Sequence, residues 1–173
     1  MKRVIPIILT IAIMALSVGM ILHFGAALPE RVASHFGIEG KADGWMSRDQ
    51  TIRFFICFTL GFPLFLPALM VLVRLFSSDC FNVPNAKYWR KPENFRHAKN
   101  FLFFFSWWMA AMSAVFAAGI FLLILQANRT SPPVMHPGGI LTLTGGFIAG
   151  TIIWIICMVI YFQRTPGNGR PGA

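Results

Sequence analysis

The chain has 173 residues, 56% of them hydrophobic and only 12% charged, with a mean hydropathy of +0.65. Six acids and fifteen bases cannot cover a water-soluble domain of this size, so the composition excludes a soluble globular fold and makes lipid the main solvent. The net charge of +9 does not indicate nucleic acid, because the bases gather in one inter-span loop and at span ends, where anionic lipid accounts for them.

Four uncharged stretches are long enough to cross a bilayer: residues 4–22 (extendable to 28), 54–73, 101–125 and 140–162. At about 1.5 Å per residue, roughly 20 residues cover a hydrocarbon core of about 30 Å. None shows the two-residue alternation of barrel strands, and lipid tolerates no unpaired backbone, so each is predicted to be a helix. The fold class expected is all-α, a four-helix transmembrane bundle with both termini cytoplasmic and a short structured outer loop. The first stretch also invites a signal-peptide reading with cleavage after Gly25-Ala26-Ala27. Its apolar run exceeds the ~7–15 residues of a signal core, which favours a retained span.

Basic residues set the orientation. Lys2, Arg3, Arg74, Lys87, Arg90, Lys91, Arg96, Lys99, Arg164 and Arg170 fall on one side; Arg31, Lys41, Arg48, Arg53 and Arg129 fall on the other. The side with the excess belongs in the cytoplasm, here of the cell's inner (plasma) membrane. Trp45 on the outer side and Tyr88, Trp89 and Tyr161 on the inner side fit interfacial anchors.

The outer segment after the first span reads LPERVASHFGIEGKADGWMSRDQ, and its glycines Gly37, Gly40 and Gly44 predict a compact cap. Pro29 stops the first helix or starts a short surface turn, and Ser47 or Asp49 caps the second. His35, Glu39 and Asp43 recur every fourth residue and would share a helix face as metal ligands, but the glycines argue against a continuous helix. The favoured reading has no metal and no cofactor: His35 and Asp43 bond within the loop, Arg48 pairs with an acid or a lipid phosphate, and Phe36 and Trp45 rest at headgroup level. No nucleophile–base pair is visible, so no catalytic residue is assigned.

Pro63 and Pro67 each remove a backbone bond from the second span, which predicts a kink. The basic loop that follows contains FNVPNAKYW. Asn82, Pro84 and Asn85 read as a turn, and Tyr88 and Trp89 would seat it at the interface, with docking of a cytosolic partner as the alternative. In the third span Ala110, Ala114 and Ala118 share one face; in the fourth, Gly146 and Gly150 form a GxxxG pair beside Gly145, Thr142 and Thr151. Both read as helix-packing seams, and a homo-oligomer face is the alternative for GxxxG. No Asp, Glu, Lys or Arg lies within a span core, which disfavours proton-coupled transport. His23, His97 and His136 read as interfacial or loop histidines. Cys57, Cys80 and Cys157 form no spaced pair and read as packing residues. Asn128-Arg129-Thr130 matches the glycosylation sequon, a short pattern with a high chance rate.

Leu28-Pro29, His35-Phe36, Gly40, Asp43-Gly44 and Ser47-Arg48 together resemble the bacterial family called domain of unknown function 1648, whose members carry LPxxxPxHFxxxGxxDxxxSK after a first transmembrane helix. Ala33 stands where the family often has a second proline, and Arg48 where lysine is usual. The FNVPNAKYW segment is similar to the NxPNxxYW that often follows the second helix of stand-alone members. The resemblance implies a family-like domain over residues 1–100, followed by a helix pair over 101–163 and a disordered tail over 164–173. The same domain forms the N-terminal region of SdpI, an immunity protein against a secreted peptide toxin. By that resemblance the expected role is non-enzymatic, sensing or protecting against an extracellular peptide or another envelope protein. The alternative is a small-solute transporter or channel subunit. The bilayer is the partner expected in either case.

Overall fold

The structure, a computed structural model, describes residues 4–73, 75 and 78–165. Lys2, Arg3, Arg74 and Arg170, which enter the charge comparison, lie outside the described residues, as does the tail from residue 166. In chain order the elements are α1 (Ile5–Gly25), β1 (Arg31–Phe36), β2 (Ala42–Ser47), α2 (Arg48–Val73), a 3-10 turn (Ser78–Cys80), α3 (Ala86–Trp89), α4 (Pro92–Ala127) and α5 (Pro137–Gln163).

The four long helices coincide with the four apolar stretches, and each is long and apolar enough to cross a membrane. Pro6, Pro92 and Pro137 stand in the first turns of α1, α4 and α5, where a missing N–H costs nothing. α2 and α4 begin well before their charge-free stretches, because helix geometry continues through the polar interface. The helical assignment of α2 runs through Pro63 and Pro67, both buried.

α4 is the hub. Half of its most apolar window is buried, against 28% for α1, 17% for α2 and none for α5. Ala98, Ala110, Ala111, Ala114 and Ala117 line its buried side, and such small residues let neighbouring backbones come close. Thr10 adds a polar tie: its hydroxyl donates to its own Pro6 carbonyl at 2.7 Å and to the Trp107 carbonyl of α4 at 3.1 Å. Two aromatic–aliphatic clusters close the ends. One contains Ile21, Leu28, Val32, Phe55, Phe121, Ile124 and Leu125; the other contains Phe81, Trp89, Ala98 and Phe162.

The all-α expectation requires one correction. The segment between α1 and α2 is an antiparallel hairpin in which Arg31 faces Ser47, Val32 faces Met46, Ala33 faces Trp45, His35 faces Gly44 and Phe36 faces Ala42, with register irregularities around His35. The turn Gly37–Gly40 reverses the chain: Gly40 N–H donates to the Gly37 carbonyl at 2.8 Å, and Gly37 N–H to the Lys41 carbonyl at 2.9 Å. Helix was never available here, because Gly40 sits at φ +76° and Gly37 flanks the same turn.

Candidate functional site

The hairpin is the built feature at the end of the bundle opposite the start of α1 and the end of α5. Leu28 and Val32, 2% and 0% exposed, plug its base into the end cluster with Phe55 and Phe121. Its outer strand is held by Asn128, at the end of α4. The Asn128 side chain accepts from Ala33 N–H at 2.8 Å and donates to the Ala33 carbonyl at 2.9 Å, so one amide stands in for a neighbouring strand. The same amide donates to the Ile124 carbonyl at 2.9 Å, which also satisfies a helix-end acceptor. At the tip, Met135 N–H donates to the Gly40 carbonyl at 2.9 Å, and Lys41 bridges Val134 in the α4–α5 linker. A side chain at Gly40 would place Cβ 2.2 Å from the Met135 carbonyl oxygen, so this approach requires glycine.

His35 and Asp43 meet across the strands, Nδ1 to Oδ1 at 2.5 Å, with side chains 76% and 53% exposed. Gly44 makes room for that crossing: a Cβ there would lie 2.7 Å from His35 Cβ. Glu39 is at the turn and pairs with Lys41 instead, so the helical face of His35, Glu39 and Asp43 does not form. Among the described residues Arg48 makes no acid pair, and its buried Nε lacks a partner; its backbone N–H donates to the Glu30 carbonyl at 3.0 Å. Arg31 lies over the Trp45 ring at 5.0 Å. Pro29 is exposed in the turn before β1, and Phe36 is half-buried against the end cluster.

The strand-to-helix junction is a reciprocal cap. Gln50 N–H donates to Ser47 Oγ at 3.2 Å and Ser47 N–H to Gln50 Oε1 at 3.0 Å, so Ser47 rather than Asp49 caps α2. The S-x-x-Q spacing carries that signal in the sequence.

At the opposite end the FNVPNAKYW segment clamps α5. Asn85, in the left-handed region at φ 56°, donates to the Phe162 and Gln163 carbonyls at 3.2 and 3.0 Å, and Trp89 Nε1 donates to the Phe162 carbonyl at 2.9 Å. These carbonyls end a helix and have no donor of their own within it. Trp89 is 7% exposed and stacks on Tyr161, so it is a buried clamp and not a lipid-facing anchor. Tyr88 is half-buried against the same cluster, Pro84 and Asn82 are exposed in the turn, and Asn94 donates to the Tyr88 carbonyl at 3.0 Å.

Of the two small-residue stripes, Ala110 and Ala114 are fully buried on α4 and Ala118 is half-buried. Gly150 approaches Met112, where a Cβ would lie 3.0 Å from Sδ, while a Cβ at Gly146 meets nothing within 4 Å among the described residues. The division at residue 100 falls inside α4, so the two segments it separates share one continuous helix.

Asn128 has the greatest consequence of the residues that sequence reasoning passed over. It was visible only as part of a sequon, and its partner lies 95 residues away. Comparison with curated proteins and with solved structures gives no match. Residues 7–71 match the family model described as Domain of unknown function (DUF1648). That span takes in nearly all of α1, the hairpin and most of α2, and leaves the α5 clamp outside it. A helix, a glycine-turned hairpin and most of a capped second helix thus form one unit, residues 7–71, that is similar to the DUF1648 domain.

Proposed function

We propose that this is a binding protein of the plasma membrane whose hairpin faces outward and receives an extracellular peptide or an envelope protein, with both termini in the cytoplasm. The observation that carries the reading is a rigidly seated hairpin with an adhesive outer side. Ile38 at the tip is fully exposed, Trp45 is 40% exposed, and the same hairpin carries the exposed His35–Asp43 pair. A loop with no task beyond connection needs neither an exposed Ile–Trp pair nor ties to two other segments. The linker bridges at Lys41, just before β2, and among the described residues β2 pairs with β1 alone, which leaves edge backbone for an extended peptide. α4 runs from Asn128 at the hairpin to the α3 clamp, so a hairpin displaced by ligand pulls on the element that holds α5.

The test is phenotypic and then direct. Ile38→Asp with Trp45→Ala should abolish protection, or the downstream response, in cells challenged with peptide-producing strains, at unchanged protein level. Wild-type sensitivity in that double variant, or in a deletion strain, would count against the reading.

A further inference from the structure

α1 and α5 both pack on α4, and a cleft lined by all three remains between α1 and α5. It has two parts that meet at Trp108. The part at the end of the bundle where α1 starts and α5 ends has a volume of about 280 Å³; Pro6, Phe101 and Phe104 line it together with the polar groups of His97, Asn100 and Tyr161. The part deeper in the bundle has about 530 Å³ and is apolar, with Leu9, Ile13, Val115, Phe116 and Phe147 in its walls. Ala111 and Gly146 give it depth, since no side chain or other segment among the described residues lies within 4 Å of where a Gly146 Cβ would be.

We propose that this cleft is a binding site for one anionic membrane phospholipid, with the headgroup at His97–Asn100–Tyr161 and an acyl chain passing Trp108 toward Phe116 and Phe147. Three observations select this occupant. Polarity changes once along the cleft, from mixed at one end to apolar at depth, as it does along a lipid, whereas an apolar helix from a second copy needs apolar walls throughout. The length fits: from Asn100 to Val115, α4 rises about 22 Å, well over half of the ~30 Å hydrocarbon core and the reach of a long chain, not of a small solute. The charge fits as well. Lys87, Arg90, Lys91, Arg96, Lys99 and Arg164 lie at that end of the described chain against Asp79 and Glu93, so a negative headgroup is preferred over a zwitterionic one.

Native mass spectrometry of the full chain in detergent, titrated with phosphatidylglycerol and with phosphatidylcholine of identical chains, reads the site directly. One phosphatidylglycerol should be retained per chain, preferred roughly fivefold over phosphatidylcholine. Gly146→Leu, which fills the deep part, should lose the adduct, and Leu16→Phe on the exposed face of α1 should keep it. Phosphatidylglycerol carrying a photoreactive group near its chain end should label residues 108–116 of the wild-type chain, which keeps the test open should Gly146→Leu misfold. Equal retention of both lipids, or labelling spread over the exposed face of α5, would reduce the cleft to ordinary lipid contact and overturn the proposal. A lipid-free dimer disrupted by Gly146→Leu would assign the cleft to a second copy and overturn it equally.

Discussion

Asn128 does with one side chain what a third strand would do with a backbone. Its amide matches both the N–H and the C=O of Ala33, two groups that would otherwise be buried without partners at the foot of the hairpin. Leaving a buried donor or acceptor unpaired costs about 1–3 kcal/mol. Asn128→Ala should therefore destabilise the protein by roughly 2–4 kcal/mol, read as a lowered unfolding midpoint in detergent, and should speed hydrogen exchange at the Ala33 amide. An unchanged midpoint would show that water replaces the amide. Proline has no N–H to give, so a proline at position 33 would break the bond that Ala33 N–H makes to Asn128. Gly40 is the second position where one residue decides the outcome. With φ +76° and the Met135 carbonyl against its Cα, Gly40→Ala should cost more than about 1 kcal/mol and release the Met135 amide to exchange. The exposed His35–Asp43 pair is worth less than about 1 kcal/mol to stability, so His35→Ala should leave the midpoint nearly unchanged. Any loss of biological response in that variant then belongs to recognition.

At the level of elements, two helix ends are closed by side chains from the family-like motifs. Ser47 and Gln50 close the start of α2, and Ser47→Ala should cost about 1 kcal/mol, with fraying confined to the first turn of α2 in hydrogen exchange. Asn85 and Trp89 close the end of α5, whose own flank is otherwise given to lipid. Trp89→Phe keeps the ring packing with Phe162 and removes one donor; about 1 kcal/mol should be lost, and less than that again on adding Asn85→Ala if the two donors share one carbonyl as a unit. Strict additivity in this double-mutant cycle would mean that the donors act independently. Glycine turns and capping spacing made both motifs legible as turns in the sequence. Their partners were not legible, because Phe162 lies 77 residues from Asn85 and shares no pattern with it.

For the whole molecule, the even number of spans puts the start of α1 and the end of α5 at one end, where Pro6 and Tyr161 line a common cleft. With the basic excess at that end, a reporter active only in the cytoplasm should work when fused after residue 173 and fail when inserted at Ile38. The reverse pattern would invert the proposed orientation while leaving the fold intact.

The sequence by itself determined the solvent, the number of spans and the presence of a glycine-turned cap. Run length and hydropathy are properties of consecutive residues, and so are turn glycines. Tertiary structure alone decided which helix is central, that the cap is a hairpin seated on Asn128, and that Trp89 faces inward to α5. In lipid the buried and the exposed faces of a helix are both apolar, so periodicity cannot mark the core as it does in water. The polar groups that do specify the packing bond to whatever acceptor the fold brings within about 3 Å, and distance along the chain does not enter.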